Sequence, residues 1–407
     1  MLTTLSTSDT PKRQTTGSRS YIQSRREAIP LKMAAPLTIR TVTSIEEFKD
    51  LAQDWEQLLR TIPGHSLFLT WEWLYIWTKH FLGDRRLRIL LMLDDQERLV
   101  GIAPLFLRTS RAQGLIPFRE FRFLASEAET INSSYLDVIA NEKQKRVVLQ
   151  RFYQYLFNEA REDWDVLTLS EIPAESSTIN LWNELFDEAG KVGEIVSATC
   201  CPVIRLPGNV DTYRAGLGRS RRYTLQRKMK CLKEIGRMEY SRVTSPAEVD
   251  TILDGIITLH QRRWNTDSSG GVFAIEHIKR FHRETVQVMK ERGWISIDLL
   301  KLDDRLIAAI YGFNYQGVYH SYLPWFDPAT TFSKASPGML LLYHRIEQAI
   351  WDGAHTVDLL MGAEPYKLDC SNALRRSLTL RYYNRHARAL GFKLLESAKQ
   401  AVKMLVR

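Results

Sequence analysis

Along residues 88 to 106 the chain reads R-I-L-L-M-L-D-D-Q-E-R-L-V-G-I-A-P-L-F: an apolar run, an Asp-Asp break, and a second apolar run opening on Arg-Leu-Val. Residues 295 to 313, I-S-I-D-L-L-K-L-D-D-R-L-I-A-A-I-Y-G-F, repeat that plan. Two short apolar runs around a polar turn predict a β-hairpin in each case. The likeness continues downstream, where S-S-Y-L-D-V (133 to 138) answers H-S-Y-L-P-W (320 to 325), and both predict strands. Each is followed by an amphipathic stretch that predicts a helix, about 145 to 161 and 337 to 352. A strand comes next, W-D-V-L-T-L-S (164 to 170) and H-T-V-D-L-L-M-G (355 to 362). Upstream, apolar spacing predicts helices over 45 to 59 and 246 to 264, and Ser44 with Glu47 and Ser245 with Glu248 form capping boxes. Helices, hairpin, strand, helix and strand, written twice, predict an α/β fold of duplicated mixed sheets with helices packed on them.

Between the copies lies C-P-V-I-R-L-P-G-N-V-D-T, where Pro202, Pro207 and Gly208 punctuate the chain. The expected units are therefore 37–207 and 208–390, flanked by a tail over 1–36 and a basic C-terminal helix over 391–407. A helix over Y-R-A-G-L-G-R-S-R-R-Y-T-L-Q-R-K-M-K-C-L-K-E-I-G opens the second unit.

Charge changes this picture in two places. Of the net +9, the tail contributes +4 from six Lys/Arg against Asp9 and Glu27, with no apolar periodicity, so it is expected to stay disordered. A flexible extension and a translation start at Met33 both suit it, and both keep it out of the chemistry. Residues 212–237 hold nine Lys/Arg and one acid, Glu234. Such an excess costs self-repulsion and suits an anionic polymer or phosphate-bearing partner. Tyr213 and Tyr223 are its only aromatics, too few for stacking platforms, so sequence-specific nucleic-acid reading is not expected.

Other chemistries find little footing. No apolar run approaches the roughly 18 residues of a transmembrane segment. Cys200, Cys201, Cys231 and Cys370 lack metal-ligand spacing and fit free thiols in a cytoplasmic protein. The histidines show no paired spacing for a metal, and His277 and His282 read as surface helix residues. No G-x-S-x-G nucleophile elbow occurs. Trp73 and Trp77 share a helical face and read as core.

The copies differ where chemistry would sit. The first joins its strand and helix through I-A-N-E-K-Q-K-R, the second through F-D-P-A-T-T-F-S-K-A-S-P-G-M-L-L. Ser336 suits an N-cap, Pro337 the first helical position, and Gly338 a close backbone approach; with Lys334 and the first-turn N–H groups they make a candidate anion site. The first copy's last strand ends L-T-L-S-E-I-P-A, the second M-G-A-E-P-Y-K, which adds Tyr366 and Lys367 beside Glu364. Asp358, inside that strand, needs a buried partner such as Arg381 and reads as structural.

These features resemble the GCN5-related N-acetyltransferase (GNAT) superfamily in tandem. The second half is most similar to the BioF2-like acetyltransferase domain of CelD-type cellulose-biosynthesis proteins, distant relatives of the FemAB peptidyltransferases. The segments R-S-R-R-Y-T-L-Q-R-K-M-K-C-L-K-E-I-G, L-H-Q-R-R-W, S-P-G-M-L-L and D-L-L-M-G-A-E-P-Y-K carry the resemblance, with F-L-T-W-E-W-L-Y-I-W in the first half. It implies a degenerate first domain and a catalytic second one that takes acetyl-CoA or another acyl-CoA as donor, with no metal. The pyrophosphate would lie against Lys334, Ala335, Ser336, Gly338 and Met339, and the thioester between the strands at Tyr319 to Trp325 and Thr356 to Met361.

Acyl transfer asks for a base, which Glu364 would supply if partly buried. Tyr366 would protonate the leaving thiolate, and Lys367 would bind an anionic group. Arg221, Arg222, Arg263 and Trp264 are the expected contacts for a small-molecule or saccharide acceptor, an amine or a sugar hydroxyl, in cell-surface polysaccharide synthesis. No Q/R-x-x-G-x-G/A signature is present. Aminoacyl transfer from tRNA, as in FemAB relatives, and a non-catalytic module that binds an anionic polymer are the alternatives.

Overall fold

The computed structural model describes residues 37–112, 116–126, 131, 133–188, 193–243, 248–264, 273, 275–327, 329, 332, 335–384 and 388–395. The first half runs β1 (Thr38–Val42), α1 (Ile45–Asp50), α2 (Ala52–Arg60), α3 (Trp71–Phe81), β2 (Arg86–Leu93), β3 (Leu99–Ala112), β4 (Ile116–Phe123), α4 (Lys145–Gln154), β5 (Val166–Pro173), α5 (Ser177–Glu188) and β6 (Glu194–Arg205). The second runs α6 (Val210–Gly216), α7 (Arg219–Ile235), β7 (Met238–Arg242), α8 (Glu248–Trp264), α9 (Glu276–Glu291), β8 (Ile295–Leu302), β9 (Arg305–Tyr315), β10 (Val318–Phe326), α10 (Pro337–Trp351), β11 (Thr356–Asp358), α11 (Pro365–Cys370) and β12 (Ala373–Tyr383). Residues 388–395 form a further helical stretch.

The twelve strands of the described residues join one mixed sheet in the order β1-β2-β3-β4-β5-β12-β6-β11-β10-β9-β8-β7. Read from either edge the plan is the same: four antiparallel strands, a parallel neighbour, then the last strand of the other half. The duplication is therefore real, and the halves exchange their sixth strands: β12 sits between β5 and β6, and β6 between β11 and β12. The predicted hairpins are β2–β3 and β8–β9. Helices couple the halves as well. On α3 and α9, Trp73 packs edge-on against Phe281 at 5.4 Å, and His80 meets Glu284 at 2.8 Å. Trp73 and Trp77 are fully buried, as their spacing predicts.

Four local expectations fail for identifiable reasons. Residues 133–138 form no strand; β4 takes the place in the sheet that matches β10. Tyr135 is left-handed (φ 60°), and the buried Asp137 accepts from Ser176 and Thr178 and pairs with Lys145, so side chains hold this stretch as a buried loop. The helix expected over 45 to 59 breaks at Leu51, whose N–H bonds to Phe48 instead of continuing the ladder. The helix expected from Tyr213 is two, separated at Leu217 and Gly218. His282 is buried, not on the surface: the apolar stripe Ile278, Phe281, Val286 and Met289 of α9 carries it inward. The Ser44–Glu47 capping box is present, whereas Ser245 lies outside the described residues.

Candidate functional site

β10 and β11 run parallel for three rungs only, Val318–Thr356, Tyr319–Val357 and His320–Asp358. Beyond the last rung they part. A register shift between His320 and Leu323 turns β10 away, and the chain after Asp358 turns to follow β6, with Leu359 N–H donating to Pro202 O (3.0 Å) and Gly362 N–H to Cys200 O (3.0 Å). The result is a wedge between two strands, open toward the loop that ends in Glu364. α10 begins at the far end of β10: a Cβ on Gly338 would stand 3.1 Å from the Phe326 ring, so this close approach favours glycine.

The apex of the wedge is polar and buried. His320 and Asp358 face each other across the last rung, and both are buried. Burial pushes the Asp358 carboxyl up to about 6 and the His320 imidazole down to about 3, so the neutral form of each is favoured near pH 5. Asp358 Oδ1 accepts from the Leu360 N–H (2.8 Å), while Oδ2 lies 3.9 Å from Arg375 Nη1 and has no hydrogen bond among the described residues. The Arg375 guanidinium stacks on the Tyr135 ring at 4.0 Å and donates to Glu175 (3.0 Å). The Tyr135 hydroxyl sits beside Asp358, raised far above the phenolic range by burial, and burial also pushes the Cys201 thiol up to about 12. The cation beside Asp358 is thus Arg375, not Arg381, whose Nε reaches Thr168 Oγ1 (3.4 Å) on β5. Sequence reasoning missed His320 and Arg375; pairing across strands, invisible in one dimension, brings them together.

The residues expected to be catalytic fall just outside this apex. Glu364 is half exposed, at 51% of its side-chain surface, and stands at the N-cap position of α11 without a side-chain cap; its carboxylate pairs with Lys367 Nζ at 3.2 Å. The carboxyl that full burial raises here is that of Asp358. Lys367 is buried and also donates to Met361 O (2.6 Å), so it ties the loop rather than reaching toward an anion. Tyr366 is exposed. Gly362 holds φ at 119°, where an alanine would strain the backbone and drive its Cβ into the Glu364 carboxylate. Gly362→Ala is expected to cost about 1–3 kcal/mol in urea unfolding and to break the Glu364–Lys367 pair; an unchanged midpoint would refute this.

The expected anion loop is only partly as read. Ser336 is left-handed (φ 49°) and makes no side-chain cap; its hydroxyl accepts from Lys228 Nζ of α7 (2.6 Å). Its carbonyl accepts from the Met339 N–H (3.0 Å) and the Leu340 N–H (3.3 Å). Ala335 is buried, and Lys334 lies outside the described residues. Among the described residues, Lys228 of the basic helix brings a cation to this turn. Arg221 binds the Tyr343 hydroxyl (3.0 Å) and the Asp369 carbonyl, so it pins α7 to α10 and α11. Arg222 lies 3.5 Å from the Arg214 carbonyl. Arg263 and Trp264 end α8, but their side chains lie outside the described residues. Among the described residues there is no group of three or more His, Cys, Asp or Glu placed to hold a metal, and no helix long and apolar enough to cross a membrane.

Comparison with known proteins bears on this same region. Residues 219–368, from α7 into α11, match the family model described as an acetyltransferase (GNAT) domain. No curated protein matches the chain. Among solved structures, FemX is similar over 82% of this chain and 96% of its own, with a TM-score of 0.54 at 10% identity. The L-PGS of Bacillus licheniformis is similar over 84% and 95%, with a TM-score of 0.50 at 10% identity. A conserved protein of unknown function from Bacteroides thetaiotaomicron is similar over 85% and 99%, with a TM-score of 0.50 at 10% identity. At such identities the likeness concerns fold alone.

Proposed function

We propose that the second half, 208–390, is an acyltransferase whose donor is an acyl-CoA, with acetyl-CoA the first to test. The observation that supports it most is the wedge between β10 and β11, which lies inside the segment matched by the acetyltransferase family model. Parted parallel strands expose main-chain donors and acceptors that a thioester carbonyl and a pantetheine amide can use. The donor's phosphates would meet Lys228 and the Gly338 N–H at the start of α10. An acceptor amine or hydroxyl attacks the thioester carbon; the new C–N or C–O bond forms as the C–S bond breaks. Glu364 takes the acceptor's proton, Tyr366 supplies one to the departing thiolate, and Lys367 positions their loop. A saccharide acceptor of CelD-type chemistry is the reading that the sequence resemblance favours.

A second donor fits one observation. The side chains of Arg219, Arg222, Arg227, Lys230 and Lys233 on α7 are exposed, a face suited to a polyanion such as aminoacyl-tRNA. Thermal melting separates the two. An acyl-CoA at 100 times its dissociation constant should stabilise the protein by about 2.7 kcal/mol. No shift with any acyl-CoA, together with salt-sensitive retention of tRNA, would replace the first reading by the second.

A further inference from the structure

β11 has three residues and stops at Asp358, whereas β5, which holds the same place in the first half, runs eight residues from Val166 to Pro173. The residues on their last parallel rungs, Asp358 and Thr168, use their side chains differently. Thr168 donates to Glu120 on the neighbouring strand, and β5 continues. Asp358 accepts from a main-chain N–H two residues ahead of it, that of Leu360, at 2.8 Å. A side chain that bonds its own backbone two residues on makes an Asx turn, which competes with the strand ladder.

Leu360 holds φ at 58°, in the left-handed region that a bulky side chain seldom enters, and it is 2% exposed. Such a state persists only where its surroundings fix it from several sides. Three hydrogen bonds do so here: Leu359 N–H to Pro202 O (3.0 Å), Leu360 N–H to Asp358 Oδ1, and Gly362 N–H to Cys200 O (3.0 Å). Two of these end on main-chain carbonyls of β6. The bond to Asp358 is the one of the three that depends on a side chain.

The turn determines where the loop of the proposed base begins. Between residues 360 and 362 the Met361 carbonyl accepts from Lys367 Nζ (2.6 Å), and Lys367 holds the Glu364 carboxylate at 3.2 Å. The same carboxylate lies against Gly362, where a Cβ would stand. Glu364 is thus located by two contacts, and both are anchored in the turn that Asp358 closes. Asp358 itself is fully buried beside Tyr135 and Arg375, so it reaches the chemistry through the backbone and not by touching a substrate.

We propose that Asp358 is a positioning residue: by accepting the Leu360 N–H it holds the left-handed turn that sets the Glu364 carboxylate at the mouth of the wedge. The role needs an acceptor oxygen at this place and no charge. It rests on the acyl-transfer reading above, and it explains why the chain keeps an acid at the end of a buried strand.

Two substitutions separate oxygen from charge. Asp358→Asn keeps the acceptor and drops the charge; Asp358→Ala drops both. Cleavage of acetyl-CoA by the full chain without an acceptor, followed as thiol release, reports the base acting on water. Hydrogen exchange of peptides within residues 359–368 reports the turn whether or not turnover occurs. Asp358→Ala is expected to lower kcat by about tenfold or more, to leave the KM for acetyl-CoA within about twofold, and to speed exchange of the loop by about tenfold or more. Asp358→Asn should hold all three within about twofold of the parent. Lys367→Met should lower kcat as Asp358→Ala does, and the two together should cost little more than either, since both act on one carboxylate. Should alanine leave the chain unfolded, Asp358→Val makes the same comparison with a strand-favouring residue. A loss in Asp358→Asn as large as in Asp358→Ala overturns the proposal, because the charge or the proton would then be what matters. Unchanged kcat or unchanged exchange in Asp358→Ala overturns it equally. A parent that cleaves no acetyl-CoA, but whose loop exchange follows this pattern, leaves the turn standing and removes Glu364, and with it Asp358, from the chemistry.

Discussion

Arg345→Met should lower the stability of the folded chain by about 3–5 kcal/mol in urea unfolding, among the largest effects of any single side chain here. Arg345 is fully buried in α10, its Nη2 2.7 Å from Asp352 and its Nη1 3.5 Å from Asp298 on β8, and the guanidinium lies over the Tyr319 ring at 4.2 Å. Methionine fills much of the same volume, so the loss measures charge rather than a cavity. What it leaves behind is Asp298, 2% exposed, with Arg242 at 3.1 Å as its remaining cation among the described residues. The network exists to hold α10 on the sheet, and α10 brings the proposed phosphate turn to the end of β10. A double variant with Asp298→Asn distinguishes the network from simple packing. If the charges act together, the pair of substitutions costs well below the sum of the two singles. Strict additivity would mean that Arg345 acts through its hydrocarbon stem alone.

How far the sequence disclosed this molecule depends on whether a feature is local. The hairpins, α10 with Pro337 at its start, and the duplication follow from apolar spacing and turn chemistry, which act over a few residues. The strand exchange does not: nothing in β6 or β12 records that each will pair with the other half, because register between distant strands is set by the whole sheet. The same limit governs the site. Lys367 and Glu364 look alike as ionisable loop residues, yet one is buried against Met361 O and the other is half exposed. Asp358 drew notice as a charge inside a strand, and its need for a partner was legible, but the partner's identity was not. Arg375 reaches it from β12, and His320 from the neighbouring strand of the wedge. Ser336 read as a cap because serine before Pro-Gly usually is one; the left-handed backbone there turns its hydroxyl to Lys228 instead.

The apex of the wedge should reveal itself in the pH dependence of stability, through two opposed slopes. His320 titrates at about 3 in the folded chain against an ordinary 6.5, so from about pH 6.5 down to 3 the unfolded chain carries a proton that the folded one lacks. Its contribution is therefore present above pH 6.5 and is lost as the pH falls, by about 1.4 kcal/mol per unit and about 5 kcal/mol in all. Asp358 has the opposite sign. Its folded value near 6 exceeds the ordinary 3.8, so between about pH 4 and 6 the folded chain holds the extra proton, and stability is lost as the pH rises. Over those two units each group is worth about 3 kcal/mol, and in the native chain they cancel. Substitution exposes them one at a time. In Asp358→Asn the slope between pH 4 and 6 should turn positive by about 1.4 kcal/mol per unit relative to the parent, and in His320→Gln it should turn negative by the same amount. Urea midpoints measured at half-unit steps read both slopes. Parallel curves for parent and variants would show that neither group is held neutral. Slopes of opposite sign would establish that the fold keeps an acid and a base side by side, both uncharged, at the point where β10 and β11 part.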